Sequence, residues 1–198
     1  MTHQTTTVEM VLAELASSQH GLVTRAQLVR AGVTTHEITH RLRSGALLRE
    51  HRGVYRVGHR APSVEARYLA AVLACGEEAR LSGRAAAHLM GLLKSPVPRP
   101  EVTTPLKRRV PGVTVRRGRI ERVDSAVHRG IPITAVARTL TDLAAHLTLD
   151  DLARACHEAG VRFQTTPAQI AVVLERRSRT PGGGEAAPDR SRATRPSR

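Results

Sequence analysis

The chain has 198 residues, room for one ordinary domain or two small ones; 40% are apolar but Trp is 0, Phe 1 and Tyr 2, so the core is expected to be Leu, Val, Ile and Ala. Lys+Arg 31 against Asp+Glu 17 gives +14, nearly all of it arginine because Lys94 and Lys107 are the only lysines, which points to an anionic partner, nucleic acid before acidic lipid. Two cysteines without a CxxC partner (Cys75 and Cys156), an opening MTHQTTT without an apolar signal core, and a longest apolar run of only residues 68–75 exclude disulfide-stapled secreted and transmembrane classes and place the chain in the cytoplasm.

Val8, Val11, Leu12 and Leu15 follow the i, i+3, i+4, i+7 spacing of an amphipathic helix. After Gly21 and the apolar lead-in Leu22-Val23, Thr24 stands three residues before Gln27, the spacing of a capping box. That second helix runs to about Ala31, with Gly32 as its left-handed stop. Thr34 and Glu37 repeat the capping-box spacing and open a third helix that buries Ile38 and Leu42 and ends at Ser44-Gly45. Two capped helices separated by Gly32-Val33 form a helix-turn-helix. Residues 47–51, the turn Arg52-Gly53 and residues 54–57 then predict a β-hairpin. Three helices and a hairpin in that order predict a winged helix-turn-helix over residues 1–60.

Pro62 and Ser63 begin the next predicted helix, whose buried stripe is Val64, Tyr68, Leu69, Val72 and Leu73. Ser82 opens a short helix through Met90, halted by Gly91. Pro96, Pro98 and Pro100 force a bend into a strand at residues 101–103. Residues 113–115 and 131–133 are further strands, with Pro132 suggesting that the latter lies at a sheet edge. Helices are expected from Thr134, carrying Val136, Leu140 and Leu143, then over residues 149–159 and 167–174, with Pro167 at a first helical position. Residues 61–177 therefore form a small α+β domain. Residues 178–198, rich in Pro, Gly, Ser and Arg, hold too little apolar surface to offset ordering entropy and are expected to be disordered.

If Ile38 and Leu42 point inward, Thr35, His36, Thr39, His40 and Arg43 point outward on the helix that a helix-turn-helix inserts into the major groove. Residues 36–60 hold six arginines against two glutamates, with Arg49, Arg52 and Arg56 on the hairpin wing. This predicts a double-stranded DNA partner, phosphate contacts by the wing and salt-sensitive affinity. A second basic stretch, residues 107–122, carries seven basic residues and one acid, Glu121. It fits an extended phosphate track and a solvated charged face equally well.

His36-Glu37-Ile38-Thr39-His40 also matches HExxH, the helical zinc-hydrolase pattern, which makes a zinc-dependent hydrolase the alternative function. Catalytic zinc needs a third protein ligand, for which Glu50, His51 and Glu65 are candidates. Arg43 stands where the longer HExxHxxGxxH form has glycine, and Arg41 and Arg43 oppose a dication. Neither lysine lies two residues after an acid, there is no DxD, and Gly182-Gly183-Gly184 lacks the lysine of a phosphate loop. No cofactor is therefore expected, and the reading is non-enzymatic.

The segment HGLVTRAQLVRAGVTTHEITHRLRSGALLREHRGVYRVG resembles the winged-helix domain of AbiEi-family antitoxins from type IV toxin–antitoxin systems. LAAVLACGEEARLSGRAAAHLMGLL and RGIPITAVARTLTDLA resemble the middle region of actinobacterial proteins that join this domain to a very-short-patch-repair-like endonuclease; where that portion begins, after about residue 175, this chain has its arginine-rich stretch. The resemblance spans about residues 8–175. It implies a DNA-binding transcriptional regulator that represses its own promoter, with a second domain that antagonises a nucleotidyltransferase toxin. Groove contacts would fall on residues 35–43 and backbone contacts on the wing arginines; two half-sites would call for a homodimer.

Overall fold

The computed structural model describes residues 7–58 and 63–178. The expectations for Arg60, for Pro62 and for the stretch beyond Ser178 lie outside the described residues. Helix α1 (Val8–Ser17) is capped by Thr7 and buries Leu12 and Ala16. Strand β1 (Leu22–Thr24) follows, then α2 (Arg25–Arg30), α3 (Thr35–Ser44), β2 (Leu47–His51) and β3 (Val54–Val57). Leu22-Val23, expected only as a lead-in, is thus a strand. It pairs antiparallel with β3, giving a three-stranded sheet in the order β1-β3-β2. Leu12, Val23, Leu28, Val33, Ile38, Leu47 and Tyr55 form a compact core beneath the three helices.

Helix α4 (Val64–Cys75), capped by Ser63, begins the second unit. It continues with β4 (Arg80–Leu81), α5 (Gly83–Leu89), β5 (Glu101–Thr104), β6 (Thr114–Arg117), a 3-10 turn at Arg122–Asp124, β7 (Ser125–His128), β8 (Ile131–Thr134), α6 (Val136–Leu143), α7 (Leu149–Phe163) and α8 (Pro167–Ser178). The five strands form a mixed sheet ordered β6-β5-β4-β8-β7. The fold class is mixed α+β, as the sequence implies.

Several details depart from the expectation. Pro132 lies in β8, which is flanked on both sides, and the edge strand is the unexpected β7. The β7–β8 connection is the two-residue turn Arg129-Gly130, with φ 49° and 74°, so its closing pair His128↔Ile131 is hydrogen-bonded and the next pair, Val127↔Pro132, is not. The proline nitrogen thus faces β4, which meets β8 only at Leu81↔Ile133, so little ladder is lost. Helix α6 starts at Val136 because Thr134 still belongs to β8. Helix α7 passes through Gly160 to Phe163, whose ring meets His128 edge-on at 5.9 Å. Helix α8 runs beyond Leu174 because Arg176 reaches Asp124 at 2.7 Å and Arg177 pairs with Asp142.

The larger core is built from Leu, Ile, Val and Ala around the buried Tyr68, and it draws in Leu22 of β1 and Val54 of β3. The smaller sheet therefore has one face on its own three helices and the other on the second unit. The β7–β8 turn seats on the loop between α1 and β1: His20 Nε2 donates to the Arg129 carbonyl at 2.7 Å, and Arg129 pairs with Glu65 at 2.9 Å.

Candidate nucleic-acid interface

Helix α3 is fixed at its start by a complete capping box. The Glu37 amide donates to Thr34 Oγ1 at 3.2 Å, while Glu37 Oε2 accepts from the Thr34 amide at 2.8 Å and from its hydroxyl at 2.7 Å. These hydrogen bonds to Thr34 hold the Glu37 carboxyl below its ordinary value. Gly45, at φ 78°, ends the helix in the left-handed conformation. Along its length Ile38 is buried and Leu42 half-buried against the smaller core, and Arg41 Nη2 donates to Glu9 of α1 at 2.5 Å.

With about 100° between successive residues, His36, His40 and Arg43 fall opposite Ile38, and all three are exposed. Thr35, exposed, and Thr39, half-buried, lie along one flank. Each hydroxyl is already engaged. Thr39 Oγ1 donates to the Thr35 carbonyl at 2.8 Å, and Thr35 Oγ1 accepts from Arg25 Nη2 at 3.0 Å.

The wing divides its arginines. Arg49 and Arg52 are exposed, Arg52 in the turn between β2 and β3. Arg56 is not available to phosphate: it is 5% exposed, and its Nε donates to Glu50 Oε1 at 3.0 Å. Side chains alternate along β3, so Arg56 shares the face of Val54, which packs on the second unit and not on solvent. The expectation of three free wing cations is corrected to two.

Sequence reading missed Arg25. It is the first residue of α2 and exposed; its amide donates to the Gly53 carbonyl at 2.8 Å and its guanidinium reaches Thr35. It thus joins the wing turn to the start of α3. The Thr24–Gln27 capping box was a local clue to its place at the helix start, but its partner lies ten residues away.

The HExxH residues do not fit catalytic zinc. Glu37 is engaged by Thr34, Glu50 by Arg56 and Glu65 by Arg129. Burial pushes the His51 imidazole below its ordinary value. Among the described residues no group of three or more His, Cys, Asp or Glu is placed to hold a metal ion. The second basic stretch belongs to the other sheet: Lys107, Arg108, Arg109, Arg117, Arg119 and Arg122 are exposed, and Arg116 pairs with Glu101 at 3.6 Å. Among the described residues no helix is long and apolar enough to cross a membrane.

Residues 10–58 match a family model described as "Transcriptional regulator, AbiEi antitoxin". No curated protein matches the chain. The crystal structure of the RV2827C protein from Mycobacterium tuberculosis is similar over 85% of this chain and 80% of its own, at 20% identity and a TM-score of 0.41. Residues 10–58, which hold the three helices and their three-stranded sheet, are thus similar to the AbiEi antitoxin family of transcriptional regulators.

Proposed function

We propose that this chain is a cytoplasmic, double-stranded-DNA-binding regulator of the antitoxin type, which represses its own promoter and antagonises a nucleotidyltransferase toxin. The observation that carries DNA binding is the outer face of α3: His36, His40 and Arg43 are exposed together opposite the buried Ile38. Imidazole and guanidinium groups offer donors to the acceptor edges of bases in the major groove, and Arg49 and Arg52 supply cations for phosphates. The winged-helix portion, residues 1–60, is the reading unit, and residues 61–177 are the unit that acts on the toxin. Two copies bound across a pseudo-palindromic operator would place two α3 helices in successive major grooves, about one helical turn apart.

Fluorescence anisotropy on a duplex from the DNA upstream of its own reading frame, beside a shuffled duplex of equal length, tests this reading. The upstream duplex is expected to bind more tightly, with affinity falling steeply between about 50 and 200 mM salt. Equal, weak binding to both duplexes overturns it. The toxin arm is tested separately: co-expression with the product of a neighbouring nucleotidyltransferase-like reading frame is expected to restore growth that the latter alone arrests.

A further inference from the structure

We propose that Arg25 is a positioning residue that sets the hydrogen-bond polarity of base reading on α3, making Thr35 a donor to base acceptors and leaving Thr39 able only to accept. This rests on the DNA-binding reading and specifies what the threonine flank recognises. A threonine hydroxyl ordinarily rotates to suit its partner, donating or accepting, and so discriminates poorly between bases. Here both hydroxyls are constrained. Arg25 Nη2, a group that can only donate, occupies an acceptor position on Thr35 Oγ1 at 3.0 Å. The Thr35 proton is thereby turned away from the guanidinium, and among the described residues no acceptor takes it. Thr39 is the converse, since its proton is committed to the Thr35 carbonyl at 2.8 Å.

Arg25 is itself held at two points, by its amide on the Gly53 carbonyl at 2.8 Å and by its place as first residue of a capped helix. Its guanidinium is therefore delivered to Thr35 by the backbone of α2 and by the wing turn. The groove edge suited to Thr35 is an acceptor: purine N7, guanine O6 or thymine O4. Thr39 suits the exocyclic amino group of adenine or cytosine.

The test uses the full-length chain and the duplex it selects from a randomised pool. Each base of that duplex is replaced in turn by an analogue that removes or weakens one major-groove acceptor: 7-deazapurine, 6-thioguanine or 4-thiothymine. For the wild type, one such replacement is expected to weaken binding about fivefold to tenfold, the scale of a single net hydrogen bond. That penalty is expected to vanish, to within about twofold, in Thr35→Val and to persist in Thr39→Val. A base that presents an amino donor at the same position is expected to bind the wild type about fivefold to tenfold more weakly, and Arg25→Ala, which frees the Thr35 hydroxyl to accept, is expected to reduce that discrimination to within about twofold. Arg25→Lys, which keeps a donor, is expected to restore that discrimination. If Arg25→Ala lowers affinity for every duplex alike and leaves the discrimination against the amino-bearing base intact, Arg25 is a phosphate clamp and the proposal is overturned. It is overturned equally if no replacement has a penalty that depends on Thr35, while DNA binding itself stands. Failure to select any duplex overturns both this proposal and the DNA-binding reading.

Discussion

Arg49 and Arg52 are the wing guanidiniums that solvent reaches, and each is suited to one phosphate. Changing either to alanine is expected to weaken binding to all duplexes about equally and to flatten the dependence of log affinity on log salt by about 0.9 per arginine. An unchanged slope in the double variant would remove the wing from the interface. Arg56→Ala should behave differently. It removes from its pair with the half-buried Glu50 a cation that is itself almost wholly buried, and breaking such a pair costs about 3–5 kcal/mol. Thermal melting is expected to show the loss before any binding assay does, and a melting temperature equal to wild type would refute the assignment. The residue pattern Val54-Tyr55-Arg56-Val57 told which two side chains share a face; it could not tell that both faces of β3 are covered. That knowledge sits in α4 and the sheet beyond it.

Helix starts were legible because a cap is a local device. Thr24 with Gln27 and Thr34 with Glu37 are each three residues apart, and both boxes form with side chain and backbone reciprocally bonded. Strands β4 and β7 were not legible. Strand β4 is two residues long and owes its existence to partners at Val102, Thr103 and Ile133, while β7 exposes both Ala126 and Val127 and so shows no alternation. The outer face of α3 could be read from the apolar period alone, whereas the Arg25–Thr35 bridge depends on how two helices cross. The second capping box also carries a pH dependence. Because the folded Glu37 carboxyl sits below its ordinary 4.5, its contribution to stability is present above pH 4.5 and is lost as pH falls through the lower folded value. Denaturation of wild type and Glu37→Gln, followed from pH 6 down to about pH 3, is expected to show a difference in stability that shifts against the wild type with acid. A difference independent of pH would mean that the carboxylate form has no advantage in the cap.

The two sheets are tied through a common interior. Leu22 and Val54 leave the small sheet to join Tyr68, Leu81 and Ile133, and the β7–β8 turn is fastened to the loop before β1 by His20 and Glu65. Heat is therefore expected to unfold both units in one calorimetric transition, with van't Hoff and calorimetric enthalpies in agreement. Leu81→Ala, which empties a fully buried site in the second unit, should lower that single transition at a cost of about 2–5 kcal/mol. Two resolved peaks, only one of them moved, would show that the units melt independently.

The seating of Leu22 and Val54 bears on genetics. Under the proposed promoter control, a screen for chains that lose repression of a reporter is expected to return substitutions around Leu81 and Ile133, far along the sequence from His36 and His40. Such alleles would diminish how much folded chain a cell contains. Mistaken for contact mutants, they would draw a second operator-touching surface where there is only shared packing.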